Sequence, residues 1–209
     1  MTEAELLFSE VLNCSRLDLY QNKNSSLNNA ESLSRSVSNP LRILDIGTGS
    51  GCIAISLAKF IKNVKVYATD ISEKALQIAK QNALLNNVKV DFLQSNLFQN
   101  YRLSAIGYGL IVSNPPYVPA CEINTLQPEV RCEPRLALDG GVTGLKFYSR
   151  IIPQAGHYLK AGGFLIMEIG FGQKEKIENI FQKYKNFEII EIVKDYNRID
   201  RVIAAKLTR

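Results

Sequence analysis

From Leu41 to the C-terminal end, short runs of β-branched residues alternate with stretches of helical periodicity. That alternation confines the chain to parallel βαβ units wound into an open sheet. Seven strands are expected: LRILDI (41–46), VKVYATD (64–70), VKVDFL (88–93), GLIVSN (109–114), GFLIMEI (163–169), FEIIEIV (187–193) and RVIAAKL (201–207). Helices fit between them at 52–61, 72–86, 147–159 and 173–184; in the second, Ser72 is the N-cap and Ala75, Ile78, Ala79 and Leu85 share one face. Only KDYNRID (194–200) separates the last two strands, too little for a crossover, so they are expected to pair antiparallel.

A chain of 209 residues holds one domain with a full core and a small appendage. With 46% hydrophobic and 22% charged residues it has the composition of a soluble globular protein. No apolar run approaches the roughly 20 residues of a membrane span. The start, MTEAELLFSEVLN, has neither the basic region of a secretory signal nor the Arg-rich bias of a transit peptide, which points to the cytosol. It reads instead as an amphipathic helix, followed by a polar Asn- and Ser-rich stretch with the character of a linker. The cysteines at 14, 52, 121 and 132 form no CxxC, and His157 is the only histidine, so no metal site is expected and all four cysteines read as packing residues. A net charge of +5 suits an acidic partner such as RNA or a ribosome-associated protein.

The first βα loop carries chemistry. In DIGTGSGCIAISLA the glycines stand at 47, 49 and 51, and the third glycine of a dinucleotide fingerprint is replaced by Cys52. A GxGxG turn brings backbone close to a ligand with no Cβ between them. Asp45, just before it, can accept from a cationic group, and Asp70, at the end of the second strand, can accept from both hydroxyls of a ribose. Glycine loop and carboxylate at successive strand ends favour an adenosyl ligand carrying an amino acid, S-adenosylmethionine, over NAD. Each feature alone has a plainer reading, as helix packing or as a neighbour of an N-cap.

The fourth strand ends in SNPPYV (113–118). Two prolines lack the backbone donors that a strand needs, but they hold a rigid turn whose carbonyls stay free to accept. An amide nitrogen is a feeble nucleophile because its lone pair is delocalised into the carbonyl. If the Asn114 side-chain oxygen and the Pro115 carbonyl accept its two hydrogens, the lone pair is aimed at a methyl donor. Pro116 stiffens the turn, and Tyr117 can lie against a planar acceptor. Glutamine, adenine and guanine all present such a nitrogen, so the turn alone leaves the acceptor open.

With these motifs in view, the sequence resembles the release-factor glutamine methyltransferases. The resemblance runs through ILDIGTGSGCIAISLA, VYATDIS, IVSNPPYV, EVRCEPRLALDGGVTGLKFYSRII, LKAGGFLIMEIGFGQ and DYNRIDRVIAAKL. EPRLALDGG is its most specific part, characteristic of enzymes acting on protein glutamine. The resemblance implies an α/β class I methyltransferase fold, Rossmann-like, with a seven-strand, mainly parallel sheet, helices on both faces and an antiparallel last strand. It implies S-adenosyl-L-methionine held by Asp45, Gly47, Thr48, Gly49, Ser50, Gly51, Asp70, Asn96, Leu97 and Asn114, with Leu97 near the adenine. Substrate glutamine would be held by Asn114, Pro115, Pro116 and Tyr117, Asn114 and Pro115 being the catalytic pair. The implied partners are peptide chain release factors, modified on the glutamine of their GGQ loop; nucleic acid would enter only indirectly, and no membrane.

Two departures from the family pattern stand out. Asn96 occupies a place where an Asp is usual, and the family's N-terminal helical domain is represented only by a remnant at 1–24, followed by a polar linker at 25–40 and the methyltransferase domain at 41–209. Two rivals remain: a nucleic-acid amino-methyltransferase acting on adenine N6 or guanine N2, and a non-catalytic cofactor-binding remnant. Among smaller candidates, His157 reads as a surface residue at a helix end, Glu168 as either structural or pocket-lining, and Gly162 with Gly163 as the turn into the fifth strand.

Overall fold

The computed structural model describes residues 40–103 and 107–208. The expected remnant and linker at 1–40 lie outside them, Pro40 excepted. Seven strands, β1 (Leu41–Ile46), β2 (Val64–Asp70), β3 (Val90–Gln94), β4 (Tyr108–Ser113), β5 (Leu159–Glu168), β6 (Phe187–Lys194) and β7 (Asp200–Leu207), follow the sheet order β3-β2-β1-β4-β5-β7-β6. This is the class I methyltransferase arrangement expected from the sequence. The chain divides into two compact units, one up to Val112 and one from Ser113.

In the first unit β1, β2 and β3 pair parallel, with Leu41 opposite Val64 and Val66 opposite Val90. Parallel strands are covered on their faces and therefore read as near-continuous apolar runs; Ile43, Leu44, Val66 and Ala68 are essentially inaccessible. Helix α1 (Cys52–Phe60) buries Ala54, Ile55 and Leu57. In α2 (Glu73–Leu85) Ser72 caps the N-terminus as expected, accepting from Ala75 N at 3.3 Å. The buried face of α2 departs from expectation. It consists of Leu76, Ala79 and Ala83, while Ile78 and Leu85 are 51% and 80% exposed. The stripe at i, i+3 and i+7 carries one large and two small residues, so a count of large apolar positions points to the wrong side.

The second unit is built on three strands in the order β5-β7-β6. β7 pairs antiparallel with both β5 and β6, Leu165 facing Ala205 and Ile192 facing Ile203. After β4 come two single helical turns, α3 (Pro128–Arg131) and α4 (Arg135–Leu138), then α5 (Tyr148–Ala155) and α6 (Lys174–Lys183). Helix α5 stops at Ala155, four residues before the expected end, and β5 starts at Leu159 rather than Gly163. Gly162, with φ 73°, lies inside that strand instead of opening it. His157 is exposed beyond α5, as expected.

The cysteine expectation needs correction. Cys52, Cys121 and Cys132 are all exposed rather than packed, because one opens α1 and the other two lie in the irregular stretch after β4; Cys14 lies outside the described residues. Among the described residues no helix is long and apolar enough to cross a membrane.

Candidate active site

The first unit assembles the glycine loop and its carboxylates. As β1 ends, Gly47 N and Thr48 N both donate to Thr69 O, at 2.8 and 2.9 Å, and Gly51 N donates to Thr48 O. This coil requires positive φ at Gly47 (72°), Gly49 (55°) and Gly51 (85°). The three glycines serve different ends. A Cβ added at Gly47 or Gly49 meets nothing within 4 Å, so those two positions border open space. At Gly51 it would lie 3.0 Å from Ala79 Cβ and Ile55 Cδ1, so this glycine lets α1 and α2 approach each other.

Asp45 is fully buried. Its Oδ2 accepts from Thr48 Oγ1 at 2.6 Å, and its Oδ1 has no hydrogen-bond partner. Burial pushes its carboxyl up to about 7; hydrogen bonds from Thr48 and the Ala54 backbone oppose that rise, and the charge of Asp70 adds to it. A buried oxygen without a donor is a costly feature that a bound cationic group would relieve.

Asp70 is tied on both sides: Oδ2 accepts from Gly49 N at 2.9 Å and Oδ1 from Ser72 N at 2.8 Å. A carboxylate offers about four lone-pair positions, which leaves one per oxygen for a diol. Ser50 points its carbonyl at Asn82 Nδ2, 2.9 Å away. Beyond β3, Ser95 N donates to Asp70 O, and Ser95 Oγ donates to Leu97 O at 2.7 Å. Leu97 takes a left-handed backbone (φ 56°) and is buried. Asn96 lines a cavity of about 300 Å³ together with Ile71, Gln94, Ser95, Gln99 and Asn100. Open glycines, the half-satisfied Asp45, the spare capacity of Asp70 and this amide-rich cavity fit S-adenosylmethionine, with its cationic, diol and nucleobase parts.

The second unit holds the NPPY turn. Asn114 follows the last residue of β4, and Pro115 is buried. Tyr117 is gripped at both ends. Its hydroxyl donates to Glu168 Oε1 at 3.0 Å, and its carbonyl accepts from Gln173 Nε2 at 2.8 Å. Gln173 also accepts from Gly170 N at 3.0 Å. The next residue, Val118, donates to Leu138 O and accepts from Gly140 N, forming an isolated parallel bridge with Asp139. The last four residues of EPRLALDGG, Leu138 to Gly141, therefore lie along the exit of the NPPY turn.

Glu168, Gln173, Gly140, Gly144 and Gly170 surround Tyr117; of these the sequence pointed only to Glu168, with its structural and pocket-lining readings both open. The signal was present in the glycine spacing of DGGVTG and IGFGQ, which reads as ordinary turn chemistry unless the crowding is known. Glu168 is structural in one respect, since its carbonyl accepts from Tyr148 Oη at 2.8 Å. Burial, followed by the nearby Tyr117 and Glu168, pushes the Tyr148 phenol well above its usual range. Among the described residues no group of three His, Cys, Asp or Glu side chains is placed to hold a metal.

Residues 28–127 match the methyltransferase small domain family. The chain is 47% identical over 176 residues to the release factor glutamine methyltransferase of Fusobacterium nucleatum subsp. nucleatum, which covers 83% of this chain and 49% of that protein. It is 43% identical over 166 residues to the protein of the same name from Geobacter sulfurreducens, covering 79% of this chain and 57% of that one. The chain thus spans about half the length of the curated relatives it matches. Among solved structures, the ribosomal protein L11 methylase of Lactobacillus delbrueckii subsp. bulgaricus aligns over 86% of this chain and 77% of its own, with a TM-score of 0.58 and 24% identity, a likeness of fold.

Proposed function

We propose that this chain, a relative of the release factor glutamine methyltransferases with a class I methyltransferase fold, moves the methyl group of S-adenosylmethionine to the side-chain nitrogen of a protein glutamine. Its substrate on this reading is the GGQ loop of a peptide chain release factor. The observation that carries the reading is the 47% identity to a release factor glutamine methyltransferase, which goes with retention of the glycine loop, Asp70 and the NPPY turn in this chain.

Each group then has a task. Gly47 to Gly51 admit the cofactor against bare backbone, Asp45 faces its positive charge, Asp70 takes the ribose hydroxyls, and Asn96 with Leu97 attends the adenine. Asn114 Oδ1 and the Pro115 carbonyl accept the two hydrogens of the glutamine amide, turning the nitrogen lone pair toward the methyl carbon, while Tyr117 lies against the amide plane. S-adenosylmethionine supplies an activated methyl group on sulfur. No strong base is called for, because the nitrogen becomes acidic once it has gained the methyl group and then releases its proton.

Incubation with radiolabelled S-adenosylmethionine and, in parallel, a release factor, a ribosomal protein fraction or RNA tests the reading. Label on the glutamine of the release factor GGQ loop is expected. Label on RNA alone would replace this reading with a nucleic-acid methyltransferase.

A further inference from the structure

We propose that Glu168 and Gln173 are positioning residues that lock Tyr117 at both ends, so that the NPPY turn holds its acceptor-binding shape before a substrate arrives. The inference deepens the proposed function and rests on it for its kinetic part.

Glu168 is the unusual residue. It is 2% exposed at the end of β5, between Met167 and Ile169, which are fully buried. Burying a carboxylate costs several kcal/mol unless it is paired, and an apolar residue would fill the place as its neighbours do. What the carboxylate gains is the Tyr117 hydroxyl at 3.0 Å. A cation supports it as well. The partly buried Arg201 is held through Nε by Asp195 Oδ2 at 3.1 Å. Burial alone would push that guanidinium down, but Asp195 together with the nearby Tyr117 and Glu168 raises it instead. Asp195 is itself fixed by the backbone N–H groups of Asn197 and Ile199, so the β6–β7 turn sets the position of Arg201.

Gln173 completes the lock from the other side. It is 6% exposed, and its one amide both donates to Tyr117 O and accepts from Gly170 N. The remaining space is closed by glycines. A Cβ at Gly140 would come within 2.8 Å of Tyr117 Cα and C, one at Gly170 within 2.9 Å of its ring, and one at Gly144 would run into its carbonyl oxygen. At these three positions only bare backbone fits against the tyrosine.

The effect on the turn follows from torsions. Pro115 and Pro116 fix their own φ. What is left to the turn is the ψ of the two prolines and the torsions of Tyr117, and pinning Tyr117 by its hydroxyl and its carbonyl anchors the C-terminal end of the turn. With its C-terminal end anchored, the chain has less room to swing the Pro115 carbonyl out of position, and misplacement by about 1 Å at such a site costs on the order of 100-fold in rate.

The test uses the whole chain with Tyr117→Phe, Glu168→Gln, Glu168→Leu and the double variant Tyr117→Phe/Glu168→Leu. Cofactor affinity is measured by calorimetry, and kcat and KM on a release factor bearing the GGQ loop. Tyr117→Phe and Glu168→Leu are expected to lower kcat by about 10- to 100-fold, with cofactor Kd changed by less than about twofold. Glu168→Gln should recover most of the rate, since its amide oxygen still accepts from the phenol. The double variant should be no slower than Glu168→Leu, as expected for two residues acting through one contact.

Wild-type kcat in both Tyr117→Phe and Glu168→Leu, or additive losses in the double variant, would overturn the proposal. If the wild-type chain labels no acceptor at all, the proposed function fails by itself, and the lock is decided by amide hydrogen exchange at Val118 and Gly140. Faster exchange there in Tyr117→Phe, with β7 unchanged, supports the lock; unchanged exchange at both amides refutes it.

Discussion

Gly49 N donates to Asp70 Oδ2 at 2.9 Å, joining the end of the first strand's loop to the end of the second strand across 21 positions of sequence. The carboxylate assigned to the ribose is thus also the brace of the glycine loop. Asp70→Ala is expected to weaken S-adenosylmethionine binding by about 1.5–3 kcal/mol, the usual worth of hydrogen bonds to a charged group. Asp70→Asn, which keeps one acceptor oxygen, should lose less. Calorimetric titration of the three proteins checks the order; equal affinities would remove Asp70 from the site.

On the proposed function, substitution of Asn114 should separate binding from chemistry. Asn114→Ala is expected to retain most of the cofactor affinity of the parent chain and to lose methyl transfer by at least about 100-fold, because an oriented acceptor is worth that much or more. Single-turnover assays beside calorimetry measure the two quantities. Normal turnover in the variant would discard the assigned cradle.

The glycines of the loop are expected to divide by phenotype. Gly51→Ala brings a Cβ to 3.0 Å from Ala79 and Ile55 at φ 85°, so the strain of the backbone adds to overpacking. The chain should lose about 2–4 kcal/mol of stability in denaturant titrations. Gly49→Ala meets no neighbour within 4 Å. It should lose only about 1–2 kcal/mol from its left-handed backbone, while cofactor affinity falls steeply because the new methyl group enters the open face.

Asp45 predicts a dependence on pH. Its folded-state carboxyl sits near 7, above the 3.8 of an unperturbed Asp, so the folded protein holds a proton that the unfolded chain has released. The stability linked to this group is fully present below about pH 4 and declines as pH rises toward 7, by at most about 1.4 kcal/mol per pH unit. Asp45→Asn removes that decline. Denaturant midpoints between pH 4 and 8 should therefore fall less for the variant than for the parent, and parallel curves would show that Asp45 does not titrate in this range. A cationic ligand beside Asp45 should favour its ionised form, so cofactor binding at pH 6 should release protons, detectable by calorimetry in buffers of different ionisation enthalpy.

The strands β1 and β2 match their expected bounds residue for residue, because short, mostly apolar runs with β-branched residues, ending in turn residues, are legible without tertiary information. The antiparallel pairing of β6 and β7 was legible for a similar reason, the shortness of KDYNRID. The buried face of α2 was not. It depends on where the small residues Ala79 and Ala83 are needed, and for Ala79 that need arises from the backbone of Gly51, far away in sequence. The surroundings of Tyr117 were hidden for the same physical reason. Gly140, Gly144, Gly170 and Gln173 are spread over more than thirty positions, and only the folded backbone shows that they crowd one residue. Leu97 lies in a left-handed conformation that no sequence rule assigns to leucine.

Val118 and Asp139 stand side by side although twenty residues separate them, held by the bonds from Val118 N to Leu138 O and from Gly140 N to Val118 O. Everything between them leaves from and returns to one fixed point, and from Arg131 to Ala137 every residue is exposed. Lengthening such an excursion costs little, only about 0.6 kcal/mol for each doubling. Its middle can thus acquire insertions, tags or new recognition sequences while the tyrosine at its root stays where it is. Changes of length in that excursion are expected to leave the turn at its root in place.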